Sequence, residues 1–387
     1  MNKFEEERKQ FPAALTQCYL DTGATGLVPQ YAYDAVKKYQ DGRLMVGGDA
    51  DWGGYGTVEM LRRSRTAVAE MLGCAAEDIC FGSNTSEMMR ILVEGLQLQP
   101  GDNVLISDEA FFGQKYVWHF QEVKDVEIRK ITPVCGVVDT ALIEKYADEH
   151  TRVVSLDLVE NSTGYRIDAE KIGAWCHERG IIFAADAAQA AGAVQIDAKK
   201  MCIDFLAGND YKWMMGFGGT GYAYVSEKLR RDLVQRSAGW MADRDLFTEK
   251  DHLELAESAS RYEYGYPNVA GIRSLGLVAE RYNILGREEI ETYILSLNRY
   301  LEDKLDAVPE VTFWSDYPQK NRSGIIILTF GKDCRITDDC LKKAGIAAHI
   351  RDGRMYGAER AMRIAVHYYN SKEDMDRLVQ VLGECCR

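Results

Sequence analysis

The chain has 387 residues, 46% of them hydrophobic, enough to bury a sizeable core as one large domain or two without covalent staples. Its net charge of -13 argues against a surface for nucleic acid or anionic membrane, where Lys and Arg supply most of the affinity, and directs attention to a small-molecule substrate. The ten cysteines are scattered, with no CxxC pair and no grouping with His at zinc-ligand spacing, so free thiols and no metal are expected, and the vicinal Cys385 and Cys386 receive no role.

In chain order, the charged start Met1-Asn2-Lys3-Phe4-Glu5-Glu6-Glu7 lacks the apolar stretch of a signal peptide. No segment approaches the roughly 18 apolar residues of a membrane span, so a cytoplasmic location is expected. Short apolar runs at 103–107, 152–156, 181–185 and 205–207 alternate with helical patterns. Residues 168–179 read as a helix with Asp168 as N-cap and Gly180 as its stop. Strand, helix, strand at this spacing predicts an α/β fold with a largely parallel sheet covered on both faces, whose ligands sit at the carboxyl ends of the strands. From about residue 270 the pattern changes to long helices (272–285 and 288–305), strands at 311–314, 324–330 and 362–366, and a closing helix at 371–385, which together read as a smaller α+β unit. The expected division is an N-terminal segment, 1–20, packing with the small unit, a large domain over 21–270 and a small C-terminal domain over 271–387.

Two residues suggest the chemistry. Asp186 closes the apolar run Ile181-Ile182-Phe183-Ala184-Ala185, and Lys212 sits in Gly208-Asn209-Asp210-Tyr211-Lys212-Trp213 ahead of a glycine-rich turn. Pyridoxal phosphate needs an amine to hold its aldehyde and a carboxylate to keep its ring nitrogen protonated. Apolar and aromatic neighbours around Lys212 favour a lowered amine pKa. Residues 81–88, Phe81-Gly82-Ser83-Asn84-Thr85-Ser86-Glu87-Met88, run into a helical stretch at 89–96, and the amides and hydroxyls there can cradle a phosphate. Taken alone, each feature has a simpler reading: Asn84 or Thr85 as a plain N-cap, Asp186 as a cap, Lys212 as a surface charge. The ordered series of phosphate turn, acid, Gln189 and embedded lysine is more specific than any member of it.

With those residues in place, the chain resembles the class V aminotransferase family of pyridoxal-phosphate enzymes of fold type I, which includes cysteine desulfurases, kynureninases and epimerase-like members. The resemblance rests on Tyr19-Leu20-Asp21-Thr22-Gly23-Ala24, on Asp186-Ala187-Ala188-Gln189, and on Arg363-Ile364-Ala365-Val366-His367-Tyr368-Tyr369-Asn370. It implies a large domain with a mainly parallel sheet of the seven-stranded type, a smaller α+β domain, and a homodimer with its active site at the subunit interface. Lys212 would carry the cofactor imine and Asp186 would pair with the ring nitrogen. Gln189 and Asn161 would bond near the ring hydroxyl. Thr85 and Ser86, with backbone help from Asn84 and joined by Asn209 and Tyr211, would hold the phosphate. Arg363 would clamp the substrate carboxylate in its planar fork, near Ala24 of the N-terminal motif.

Three departures accompany the resemblance. Phe111, or else Phe112, stands where desulfurases stack a histidine, and phenylalanine cannot move protons. Residues 345–357, where desulfurases carry their reactive thiol, hold no cysteine; Cys334 and Cys340 fall earlier, beside or on a helix. Tyr266 replaces the threonine that in relatives reaches a neighbouring subunit's phosphate. The function expected is a pyridoxal-phosphate enzyme acting on a small α-amino acid through an α-carbanion, as an aminotransferase, with a β-lyase (C–S or kynureninase-like C–C cleavage) or an epimerase as the alternative. Retention of Asp186, Gln189, Lys212 and Arg363 together speaks against a non-catalytic relative, and no GxGxxG follows an early strand to suggest a dehydrogenase. Trp52, Tyr55, Arg351, Arg354 and Tyr356 are candidates for the substrate pocket.

Overall fold

The computed structural model describes residues 3–47, 53–246, 248 and 251–385, with the side chains of 53–56 excepted. Among the described residues, thirteen strands form three sheets: β1 (Cys18–Tyr19), β2 (Ile79–Gly82), β3 (Asn103–Ser107), β4 (Glu127–Ile131), β5 (Thr151–Asp157), β6 (Ile182–Asp186), β7 (Phe205–Asn209), β8 (Gly221–Val225), β9 (Val311–Phe313), β10 (Ile325–Phe330), β11 (Ile346–Ala347), β12 (His349–Asp352) and β13 (Arg360–Ala365). The main sheet has seven strands in the order β2-β8-β7-β6-β5-β3-β4. β7 through β4 are parallel, as the alternation of elements predicts, while β8 runs antiparallel to both β7 and β2. β3, β7 and β8 are buried throughout, which is why they read as unbroken apolar runs rather than alternating ones.

The expected helix after β5 spans Ala169–Glu178; Asp168 caps it by accepting from Lys171 N, and Gly180 follows at φ +66°. The helix leading from β2 begins at Thr85, four residues earlier than the sequence pattern suggests, because the Asn84 side chain accepts from Glu87 N and opens it there. That shift places Thr85 and Ser86 in the first turn, where amides lack partners within the helix.

The second sheet, in the order β12-β13-β10-β9, is antiparallel throughout. The N-terminal segment joins it. β1 pairs with β11, Ala365 N donates to Leu20 O (2.7 Å), and Cys18 and Leu20 lie in one apolar cluster with Leu301, Ile326 and Leu378. The helix Lys372–Cys385 closes this unit, and Cys386 lies outside the described residues.

Candidate active site

The carboxyl ends of the parallel strands supply the acids. Register pairs Asp157, the last residue of β5, with Asp186, the last of β6. Asp186 Oδ1 accepts from Ala188 N (2.8 Å), and Asp157 Oδ2 from Phe111 N (3.4 Å). Burial holds both carboxyls above their usual range, Asp157 well above, with the negative charge of Asp186 adding to it. Asp157 Oδ1 is buried without a partner among the described residues. The nearby Lys212 charge pulls both values back down, so the pair is built to face a cation.

Lys212 follows β7 in a tight turn. Asp210, fully buried, accepts from Gly218 N (3.1 Å), and Gly218 and Gly219 take φ of +86° and +77°, a conformation glycine adopts freely. The lysine is 9% exposed, and its amine lies 5.4 Å from the Phe111 ring centre and 5.7 Å from that of Tyr211. Burial lowers its pKa, Asp186 opposes the shift, and the positive charge of Arg363 adds to it. Of the two phenylalanines considered, Phe111 is the one beside the amine; Phe112 packs at a tilt against Phe111 with ring centres 4.0 Å apart and is 56% exposed.

The N-terminal turn crosses this segment closely. Gly26 N donates to Tyr211 O (2.8 Å), and a Cβ on Gly26 would fall 1.9 Å from the Lys212 carbonyl oxygen, so no larger residue fits. At the start of the helix Thr85–Gly95, Asn209 Nδ2 donates to Thr85 Oγ1 (3.1 Å), while Asn209 Oδ1 is buried and unpartnered among the described residues. Ser86 Oγ faces the Gly113 backbone. The side chain of Asn84 is committed to its cap, so only its backbone is available to a ligand.

Arg363 lies on β13, 4% exposed. Its Nη1 donates to the side-chain oxygen of Asn161 and, at 3.3 Å, to the Asn161 carbonyl; Nη2 is 3.5 Å from Asp21, and Nε is buried without a partner among the described residues. Gln189 is held from three sides: Nε2 donates to Gly23 O (2.9 Å) and Asn161 Oδ1 (3.2 Å), and Oε1 accepts from Trp213 Nε1 (2.7 Å). One hydrogen-bonded chain therefore links Arg363, Asn161, Gln189 and the residue after Lys212. Behind it, Tyr368 N donates to His367 Nδ1 (2.7 Å), so Nε2 carries the proton and donates to Trp213 O (2.9 Å). Burial keeps that imidazole neutral, at about 4.

Several sequence candidates are placed differently. Ala24 is exposed; its neighbour Gly23 packs on the Arg363 guanidinium, where a Cβ would lie 3.3 Å from Cζ. Arg354 is exposed and paired with Asp352 rather than with the site. Arg351 lies on the same face of the small sheet as Arg363, since the register pairs it with Ala361 and pairs His349 with Arg363. Tyr356 donates to Ser162 O (2.8 Å) beside that face. Tyr266 is 58% exposed. Trp52 and the side chain of Tyr55 lie outside the described residues. The stretch 345–357 is folded as β11, β12 and a short 3-10 turn; Cys340 sits on the helix Asp338–Lys343, and Cys334, buried ahead of it, is disulfide-bonded rather than the free thiol expected. Among the described residues no group of three His, Cys, Asp or Glu converges as a metal site, and no helix is long and apolar enough to cross a membrane.

Sequence reasoning missed three acids of the site: Asp157, Glu109 and Glu160. Asp157 ends its apolar run as Asp186 does, and that parallel was the available signal. Glu160 Oε2 accepts from Ser162 N (2.6 Å), Thr163 N (2.7 Å) and Thr163 Oγ1 (3.0 Å).

A buried lysine amine, a strand-end carboxylate pair and a helix start from the main sheet, with a buried arginine from the second sheet, make up the candidate site. The chain belongs to the aminotransferase class-V family, whose model matches residues 18–378. It is similar to the probable cysteine desulfurase of Methanothermobacter thermautotrophicus, 27% identical over 400 residues that cover 98% of this chain and 96% of that protein. Its fold matches the apo structure of the cysteine desulfurase from Thermococcus onnurineus NA1 with a TM-score of 0.86, at 24% identity, covering 99% of this chain and 98% of that one. A complex of the cystine C–S lyase C-DES with its reaction product cysteine persulfide matches with a TM-score of 0.85, at 20% identity over 98% of this chain and 100% of that one. The fold is type I of the pyridoxal-phosphate enzymes, and the chain is a pyridoxal-phosphate-dependent enzyme. The residues present fit that cofactor: the partnerless oxygens of Asp157 and Asn209 and the buried pair with Asp186 match a cationic ring nitrogen and a polar rim, and the helix start matches a phosphate.

Proposed function

We propose that the chain is a β-lyase that breaks a carbon–sulfur bond in a small α-amino acid and works as a homodimer. The observation that carries this reading is the hydrogen-bonded chain Arg363–Asn161–Gln189–Trp213, which ties the buried guanidinium to the segment bearing the buried Lys212 amine. An amino acid bridging them would present its α-carbon to Lys212 and its carboxylate to Arg363. The aminotransferase reading that the motifs favoured yields to the lyase alternative because the similar proteins carry names of sulfur chemistry. The lack of a cysteine at 345–357 separates the proposed reaction from transfer of sulfur to the protein itself.

Pyridoxal phosphate, when bound, supplies a sink for the electron pair left at the substrate α-carbon. Lys212 would hold its aldehyde, Asp186 with Asp157 its ring nitrogen, and Thr85, Ser86, Asn209 and Tyr211 its phosphate, with Tyr266 of a second copy reaching across the interface. The other steps belong to the chain. Arg363 fixes the carboxylate through the donors that Asn161 and Asp21 leave open. Lys212 Nζ, whose affinity for a proton burial lowers, takes the α-proton. The Phe111 ring, beside that amine, excludes water from the face it covers.

Incubation of the holoenzyme with cysteine, cystine and S-methylcysteine without a keto acid tests the reading. Pyruvate and ammonia should appear together with a sulfur product, borohydride should trap the cofactor on the Lys212 peptide, and sedimentation should give twice the chain mass. A strict need for a keto-acid acceptor would establish transfer instead.

A further inference from the structure

The small sheet has two faces with different tasks. Ile350, Met362 and Ile364 point into the apolar core of the small unit, whereas Ala361 and Ala365, alternating with them along β13, lie in the cluster that holds Leu105, Val154 and Leu156 of the main sheet. Arg363 stands between those two alanines, on the face turned to the main sheet. Register sets His349 directly opposite Arg363 and Arg351 opposite Ala361, so β12 presents both on the face that carries Arg363. Arg351 is therefore the diagonal neighbour of Arg363, a separation of about 7–8 Å that long side chains span. The connection after β12 returns to the same place: Tyr356 donates to Ser162 O (2.8 Å), one residue past the Asn161 that accepts from Arg363.

The cations of this patch outnumber the acids that answer them. Asp21 alone serves two, lying 3.5 Å from Arg363 Nη2 and 3.5 Å from His349 Nε2. Arg354 is paired with Asp352, and Arg360 donates to the carbonyls of Cys334 and Ile336. The guanidinium of Arg351, half-buried, has no hydrogen-bond or ion-pair partner among the described residues. Glu359, just before β13, is exposed and makes no ion pair among the described residues. Glu160 spends Oε2 on the donors of its own turn, and burial raises its carboxyl and that of Glu109, the latter to about 7, which weakens both as counter-charges. Burial first, then the charge of Arg351, brings Arg363 down to about 10, so the two guanidinium groups feel each other. Two like charges on one face, with one carboxylate shared among their neighbours, leave a positive site that a second anion satisfies.

We infer that Arg351 holds a negative charge on the far side of the substrate sulfur, so that the preferred substrate is a cysteine thioether whose sulfur substituent ends in an acid. The inference rests on the C–S lyase reading above and narrows its substrate class. Arg363 takes the α-carboxylate and Arg351 the second acid, each through a planar fork that matches two oxygens. A neutral substituent of equal size fills the same space but leaves Arg351 unpaired. With an S-carboxymethyl group, the Cβ–S bond breaks with its pair going to sulfur, one water is taken up, and the products are thioglycolate, pyruvate and ammonia, so neither oxidant nor reductant enters.

The test compares S-carboxymethylcysteine with S-carbamoylmethylcysteine, which has nearly the same shape and no side-chain charge, on the wild-type holoenzyme and on R351M and R351K. Wild type should favour the acid about 10- to 100-fold in kcat/KM for pyruvate release; R351M should bring that ratio near one, and R351K, which keeps the charge without the fork, should fall between. Binding followed through the cofactor absorbance should give the same order in Kd and reads the contact without the chemistry. A wild type that separates acid from amide by less than about twofold, or an R351M that keeps the wild-type ratio, would overturn the role of Arg351. A wild type that binds the acid in preference to the amide yet releases pyruvate from neither would overturn the lyase reading and leave the acidic specificity standing.

Discussion

Arg363→Lys separates the charge of the proposed carboxylate clamp from its shape. In the structure the guanidinium is 4% exposed, with Nη1 spent on Asn161, Nη2 3.5 Å from Asp21 and Nε partnerless among the described residues, which leaves Nε and the second N–H of Nη2 as the edge for a carboxylate. Two charge-assisted hydrogen bonds in such a site contribute about 1.5–3 kcal/mol each. Lysine keeps the charge but presents a point donor, so one bond is lost and the other remains. The expected cost is therefore about 1.5–3 kcal/mol, or roughly ten- to two-hundredfold in kcat/KM. The assay is pyruvate or thiol release from S-methylcysteine, with cofactor binding followed by absorbance as the control. A decarboxylated substrate analogue, S-methylcysteamine, should bind wild type and Arg363→Lys equally in competition. If the analogue loses as much affinity as the amino acid, or if kcat/KM changes less than about threefold, Arg363 does not hold the carboxylate.

Two further changes bear on the frame around the site. His367, buried and neutral at about 4 against an unfolded value near 6.5, makes the unfolded chain bind one more proton between those values. Its contribution is complete above pH 6.5 and is lost as pH falls toward 4, reaching about 2 kcal/mol by pH 5; urea unfolding of H367Q should show a pH 7.5 to pH 5 difference smaller by about that amount. Glu263 accepts from Arg65 Nη1 (2.7 Å), Arg65 Nη2 (3.2 Å) and Phe81 N (2.9 Å) in a buried setting, so Glu263→Ala, which strands the Arg65 charge, should destabilise by about 3–5 kcal/mol in urea. The pair Arg65→Met with Glu263→Leu should recover much of that loss, since an apolar replacement leaves no stranded charge.

The parallel order of the main sheet was legible because each strand is a short apolar run closed by a polar residue, and because Asp168 and Gly180 punctuate the helix between two of them. The lysine turn was legible for a related reason: its glycines take positive φ where other residues are strained. Glu109, Asp157 and Glu160 were not, since one acid at a loop start looks like a cap until β3, β5 and β6 are laid side by side. Register, which pairs Asp157 with Asp186 across 29 positions, is a property of the folded sheet and leaves no local trace. Nor was the stretch 345–357 readable as two strands, because β12 is half-exposed and carries charges at its end. Asn84 was legible as an N-cap, and the structure uses it so; the sequence pattern begins the helical stretch four residues late, at 89, although that cap opens the helix at Thr85.

Gly26 lies against the Lys212 carbonyl, and Arg363, from near the other end of the chain, pairs with Asp21 of the same N-terminal turn, so three distant segments meet at the lysine turn. A chain lacking β13 would keep the main sheet but lack Arg363 at this junction. If those segments together hold vitamin B6 phosphate as proposed, its binding free energy would add to whatever holds them together. Depletion of the vitamin should accordingly loosen the two ends of the chain before it disturbs the central sheet.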